Sequence, residues 1–275
     1  MFPVGVSSGY GLQLNEQTLS DMKESGIDYI ELSLGKGFEP DYAQIVSAAR
    51  SAGVGIWTAH LPYRPMDLLD ISLEDPRIRA QGLDFLSRLI AVIAGLGINK
   101  FVLHPSTPLP ECCNRAERKK YAMDSLDRLA EAAHRRGAII AVENMTRPCL
   151  GNSAEELREL IAVNDKLKVN FDMNHLFNNS HREFIKLLGD KLVSVHISDY
   201  DMAEERHWFP GEGAIDWPQL ARQLQDAGYR GVWMYELSFT GRKMADRGRP
   251  LTFRDLRRNA DEIFSGKAPT IIRAV

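Results

Sequence analysis

Three cysteines in 275 residues, two of them adjacent (Cys112 and Cys113), cannot build a disulfide framework. The expected compartment is therefore the cytoplasm. No window approaches the roughly 20 apolar residues of a membrane span. The start, "MFPVGVSSGYG", has neither the basic stretch nor the apolar run of a secretion signal. Positive charge is not in excess: 34 Lys and Arg face 37 Asp and Glu, a formal net charge of -3. The charge balance thus makes no case for a nucleic-acid partner, although a local basic patch is compatible with it. No low-complexity linker divides the chain. It reads as one domain over residues 1–275, with 265–275 as an extension that docks on the domain or on another subunit.

What the chain does have is a repeated alternation. Short β-rich runs occur at 3–8, 29–34, 54–61, 100–106, 138–145, 168–175, 192–200 and 231–238. They are apolar without strict alternation, as in a parallel sheet covered on both faces. Amphipathic segments separate them, several ending on a glycine: Gly26, Gly53, Gly137 and Gly228. Asp75 before Pro76, and Asp216, read as N-caps, and Ser153 with Glu156 three residues on reads as a capping box. About eight βα units in this length fit a closed (β/α)8 TIM barrel, an α/β fold. A doubly wound open sheet is the alternative, but "SSGYGLQLNEQ" is a poor glycine-rich phosphate loop.

In such a barrel, chemistry sits where strands end. The strand "IIAVENM" is apolar until it reaches Glu143 and Asn144. The same happens elsewhere: His60 and His104 end the third and fourth strands, Asp172 and His175 the sixth, His196 the seventh and Glu236 the eighth. Glu205 and His207 follow in the loop after the seventh, and Glu31 lies in the second. Five of the seven histidines fall on this rim; His134 and His181 fall in helical patterns. Buried carboxylates facing one cavity repel each other and favour protonation. A divalent cation at their meeting point removes that conflict. Taken alone, Glu143 would read as an ion-pair partner of a neighbour such as Arg147. Oxygen donors with one imidazole suit Mn, Mg, Co or Fe, and added histidines pull the choice toward Zn.

The motifs "VENM", "FDMNH", "VHISD", "HWFPGEGAIDW" and "YEL" together resemble the xylose-isomerase-like barrel superfamily. It includes sugar isomerases and epimerases of the tagatose epimerase type and the endonuclease IV type of abasic-site nuclease. The resemblance implies that Glu143, Asp172, His196 and Glu236 hold one divalent metal ion. It also implies that Glu143 and Glu236 move protons and that His175 contacts substrate. Arg206 lies near the position of a substrate-holding arginine in some relatives. His60, His104, His207 and Trp208 join His175 and Arg206 as expected substrate-binding residues. The nuclease branch uses three zinc ions, and His60, His104, His175 and His207 match candidates for its further ligands. Its Asp-x-His reads here as Glu205-Arg206-His207.

The expected activity is therefore a metal-dependent isomerase or epimerase of a keto sugar, cyclitol or related polyol. Proton transfer would run through a metal-stabilised enediolate. The same site could instead expel water, as in a dehydratase of the inosose type. The alternatives are a phosphodiesterase at abasic DNA sites and a barrel kept for binding without turnover. A small-molecule sugar or polyol is the expected partner, with no membrane, no nucleic acid and room for a homo-oligomer. "PGEG" (210–213) reads as a tight rim loop ahead of Asp216.

Overall fold

The structure is a computed structural model and describes residues 1–35, 41–241 and 243–273. Eight parallel strands close into a barrel in sequence order. They are β1 (Val4–Ser7), β2 (Tyr29–Ser33), β3 (Gly55–His60), β4 (Lys100–Leu103), β5 (Ile139–Glu143), β6 (Lys168–Asp172), β7 (Leu192–Ile197) and β8 (Trp233–Tyr235). Helices α1 (Glu16–Glu24), α2 (Tyr42–Ala52), α3 (Met66–Leu69), α4 (Pro76–Gly95) and α5 (Arg115–His134) connect the first five strands. Helices α6 (Ala154–Ile161), α7 (His181–Leu188), α8 (Trp217–Asp226), α9 (Met244–Arg247) and α10 (Phe253–Phe264) complete the chain. The expected (β/α)8 architecture is present, with two short extra helices, α3 and α9.

Local chemistry sets these boundaries. Asp75 accepts from the backbone N–H groups of Arg77 and Ile78 at the start of α4, and Asp216 caps α8 through Gln219 N–H. Ser153 caps α6, but the expected capping box is only half made. The carboxylate of Glu156 turns instead to Arg115 (2.7 Å) and to the N–H of Gly151 (2.8 Å). Full capping boxes occur at Ser180–Glu183 and Thr252–Asp255. The sixth strand is shorter than its apolar run. After Asp172 the chain coils into a 3-10 turn over Met173–His175, because Asp172 Oδ1 captures the N–H of Asn174 at 2.7 Å.

The connections that form the rim are tied down individually. The long segment between β3 and α4 is pinned by buried Asp70, which accepts from Arg118 (2.8 Å), Thr107 (2.7 Å) and the N–H of Ser72 (2.8 Å). The loop after β7 is folded around buried Asp199. That carboxylate accepts from the N–H groups of Gly211 (2.8 Å) and Ile215 (3.3 Å) and from the indole N–H of Trp217 (2.8 Å). Asp199 and Trp208 also exchange two backbone hydrogen bonds. Residues 210–213 thus form the expected tight rim loop. Pro269 of the C-terminal extension lies 3.1 Å from where a Cβ on Gly211 would be, so this segment docks on that loop. Residues 274–275 of the predicted extension lie outside the described residues.

Candidate metal centre

Register brings the polar strand ends together. On neighbouring strands Asp172 pairs with His196, and His196 pairs with Met234, two residues before Glu236. The result is that Glu143, Asp172, His196 and Glu236 each offer one atom within 4.8 Å of the others. His196 Nδ1 is the hub: it stands 3.1 Å from Glu236 Oε2, 3.3 Å from Glu143 Oε1 and 3.7 Å from Asp172 Oδ2. Glu143, Asp172 and His196 are fully buried, whereas Glu236 keeps an open edge at 13% exposure. Arg147, the alternative partner of Glu143, instead donates to Asn178.

Two further groups flank this quartet. His60, His104 and Glu143 make one, and Asp172, His175 and His207 the other. His60 Nε2 and His104 Nε2 approach Glu143 Oε2 at 3.2 and 3.5 Å. Glu205 Oε1 lies 2.9 Å from His207 Nε2 and 3.5 Å from His175 Nε2. All five rim histidines therefore reach one continuous cluster of carboxylates, with Glu143 shared by two groups and Asp172 by two. His134 ends α5, and His181 begins α7, its Nε2 3.0 Å from the Met173 carbonyl.

The opposite ring nitrogens show how the histidines are held. His60 Nδ1 faces the Leu61 carbonyl at 2.9 Å, His175 Nδ1 the Asn144 carbonyl at 3.0 Å, and His207 Nδ1 the Glu236 carbonyl at 3.1 Å. A carbonyl only accepts, so each Nδ1–H must donate. The remaining Nε2 of each ring then points at a carboxylate. Metal-ligating histidines have this arrangement, one nitrogen tied to an outer acceptor and the other aimed inward. His207 sits at φ 49°, a left-handed conformation that costs a non-glycine residue about 1–3 kcal/mol. The Asp199 scaffold of this loop holds it there.

The electrostatics are those of a tightly crowded site. Burial works against the charged form of every group. For Glu143 the imidazoles of His196, His104 and His60 outweigh it and hold the carboxyl well below its usual range. Burial alone would lower His60 and His175, but Glu143 lifts His60 to about 9, and Asp172 with Glu205 lifts His175 to about 10. Asp172 goes the other way: burial raises it. Among the described residues, no donor makes a hydrogen bond to its buried Oδ2. An orphaned, inward-facing carboxylate oxygen beside three ligand-type atoms is what an ordered cation would satisfy, so the residues fit a divalent metal.

Arg206 and Trp208, both expected to bind substrate, have partners within the loop and beside it. The Arg206 guanidinium is engaged by Asp201 (2.8 Å) and Glu204 (2.7 Å), and Trp208 lies against Arg206 and Lys243. Glu212 of the rim loop is in a buried ion pair with Arg247 at 2.8 Å. The sequence marks Asn144 at the end of its strand without giving it a role, and leaves Tyr10 and Tyr63 unmarked. Asn144 clamps the end of β6, donating to the Asp172 carbonyl (2.9 Å) and accepting from its N–H (2.8 Å). Tyr10 packs against His207, and Tyr63 stacks on His104 at 4.6 Å. Both tyrosines lie in loops that follow strands, Tyr10 after β1 and Tyr63 after β3, and only the folded chain places them.

A closed parallel barrel with acids and histidines gathered at its mouth defines the class: a (β/α)8 protein with a candidate metal centre. Within that class, residues 19–254 match the family described as xylose isomerase-like TIM barrel, and the chain belongs to that family. It is similar to the L-ribulose-5-phosphate 3-epimerase UlaE of Shigella flexneri serotype 5b, with 24% identity over 229 residues, 78% of this chain and 79% of that one. It is also similar to a probable endonuclease 4 of Acholeplasma laidlawii, with 24% identity over 193 residues. That match spans 63% of this chain and 64% of the relative. Among solved structures, a D-allulose 3-epimerase from Methylomonas sp. superposes with a TM-score of 0.76 at 20% identity. It covers 96% of this chain and 97% of that one, and shows the same fold. Among the described residues, no helix is long and apolar enough to cross a membrane.

Proposed function

We propose that the chain is a divalent-metal-dependent epimerase or isomerase of a keto sugar, cyclitol or related polyol. The observation that carries this reading is the convergence of two glutamates, Glu143 and Glu236, on the same His196 nitrogen, with Asp172 beside them. Glu143, Asp172, His196 and Glu236 would hold the ion, and a sugar 3-epimerase stands among the relatives. When bound, it supplies Lewis-acid stabilisation of negative charge on adjacent substrate oxygens. Glu143 and Glu236 then divide the proton work: one takes the proton from the carbon next to the carbonyl, the other returns one. Return to the opposite face of the same carbon inverts it; return to the former carbonyl carbon, with the neighbouring hydroxyl proton passing to the former carbonyl oxygen, isomerises the sugar. His60, His104 and His175 hydrogen-bond substrate oxygens from the side of Glu143 and Asp172. Burial of this wall keeps water from competing for the carbanion.

A second reading is favoured by one observation, the two flanking histidine groups. With Glu143 and Asp172 shared, the rim has donors for as many as three ions. That arrangement suits phosphoester hydrolysis, in which clustered cations neutralise the transferring phosphoryl group, and a relative is a probable endonuclease 4. The net charge of -3 gives no general attraction to a nucleic acid.

Two measurements on the purified protein separate these readings. Metal analysis should return about one equivalent for the first and about three for the second. Unphosphorylated ketoses incubated with the loaded protein in D2O should take up deuterium next to the carbonyl, and Glu143→Gln and Glu236→Gln should each abolish the uptake. Cleavage of a phosphodiester without such exchange would reject the epimerase reading.

A further inference from the structure

The barrel lumen beneath the rim holds a carboxylate that neither proton transfer nor the four-ligand set uses. Glu31 is fully buried on β2, and His196 is on β7, so their contact crosses the lumen rather than following a strand pair. The β2–β3 register slips between Ile30 and Glu31, the kind of irregularity that re-aims a side chain. Both oxygens of Glu31 bracket one nitrogen: His196 Nε2 lies 3.0 Å from Oε1 and 3.1 Å from Oε2. Each oxygen also accepts a hydroxyl. Ser7 Oγ donates to Oε1 and Thr58 Oγ1 to Oε2, both at 2.8 Å. Neighbouring strands β1 and β3 thus fix the carboxylate on both sides, and it has no rotamer freedom left to spend.

We infer that Glu31 is a positioning residue for His196, keeping the proton on Nε2 so that the Nδ1 lone pair is the one presented to a cation. The inference rests on the metal reading of the quartet. A carboxylate only accepts, so the ring nitrogen between its oxygens must donate. The other nitrogen is then the one that faces Glu143, Asp172 and Glu236. The bracketing also makes the site intolerant of an amide. With Nε2 nearly equidistant from both oxygens, Glu31→Gln places an NH2 against it whichever way the amide is turned. The amide keeps one acceptor oxygen but sets a donor beside it, so the hold on Nε2–H weakens and the opposite tautomer, with a proton on Nδ1 inside the ligand set, is opposed less.

The test uses the full-length protein and cobalt(II) chloride as the probe. Cobalt affinity is followed by visible absorbance in competition with a chelator, and the His196 tautomer by 15N NMR of histidine-labelled protein. Glu31→Gln should weaken cobalt binding by about 10–100-fold, as loss of an outer partner of a ligating histidine does. Glu31→Asp keeps the charge and should fall between it and the wild type. Thr58→Val removes only a hydroxyl from the same carboxylate and should weaken binding far less than Glu31→Gln. Wild-type protein loaded with cobalt or zinc should show His196 protonated at Nε2. A His196 protonated at Nδ1 in the zinc-loaded wild type overturns the inference even if no variant folds. Equal cobalt affinity in Glu31→Gln and wild type also overturns it and leaves the metal reading standing. No cobalt binding by the wild type sinks both.

Discussion

Stripped of metal by a chelator, the protein should lose stability as pH rises above 6.5. His60 and His175 start from an ordinary value of 6.5 and are lifted to about 9 and about 10 in the folded chain. In both, burial pulls the value down. Glu143 more than offsets it for His60, and Asp172, then Glu205, for His175. A raised histidine contributes stability that is complete below its unfolded value and disappears as pH climbs through its folded one. Each such group contributes about 1.4 kcal/mol per pH unit in that window. For His60 alone the span from 6.5 to about 9 amounts to about 3 kcal/mol. That is a large part of the 5–15 kcal/mol that holds a typical domain together.

The acid side runs the other way. Burial lowers His104 and His181, so their contribution is complete above 6.5 and is lost as pH falls through that value and on to their depressed folded ones. Glu143 and Glu205 are held low by their imidazole partners and contribute stability that is lost on further acidification. Asp172, raised by burial, is the carboxylate of the quartet that opposes this. The chelated protein should thus be most stable near pH 6.5. The assay is urea unfolding followed by tryptophan fluorescence across pH 5 to 10, with chelator and with saturating metal. Ligation needs the nitrogens without their protons, so the metal-loaded protein should hold its midpoint through the alkaline range. A chelated protein whose midpoint stays level or rises between pH 6.5 and 9 would refute the reasoning.

Asn144→Ala leaves the buried N–H and carbonyl of Asp172 without their side-chain partner, and unfolding measurements should show a loss of about 2–4 kcal/mol. Asn144→Asp should not restore it, because a carboxylate oxygen would then face the Asp172 carbonyl. Gly213→Ala puts a Cβ 2.3 Å from both Asp199 Oδ1 and the Tyr200 carbonyl, so the loop that carries His207 must shift. Overpacking of this kind costs about 1–3 kcal/mol, visible as a lowered thermal midpoint, and an unchanged midpoint would show that the Asp199 cradle is looser than its distances imply.

The eight βα units were legible because each level of the sequence agreed. Strands buried on both faces read as apolar runs, and glycines with αL geometry, such as Gly53 at φ 70°, closed the helices. The quartet was legible for a related reason: an acid at the end of an apolar run has no local explanation. Where the reading fell short, the deciding contact lay far along the chain. Glu156 looks like half of a capping box until Arg115, 41 residues away, takes its carboxylate. Glu31 was visible as an acid in a strand, but its partner is 165 residues distant and no pattern in the sequence links the two.

The same crowding explains how such a cluster survives folding before any ion arrives. Buried carboxylates without compensation would cost several kcal/mol each. Here His60, His175 and His196 are all pushed toward the charged form by the acids around them, so protons on the imidazoles supply the positive charge. Ion binding then becomes an exchange of protons for metal within a scaffold that is already neutralised. Strand ends, the Asn144 clamp and the Asp199 loop fix that scaffold without help from an ion. It follows that chelation near pH 6.5 should empty the site and leave the barrel folded. It follows too that metal affinity should climb with pH over the range in which the chelated protein weakens. The two trends have one cause, the protons that the histidines give up.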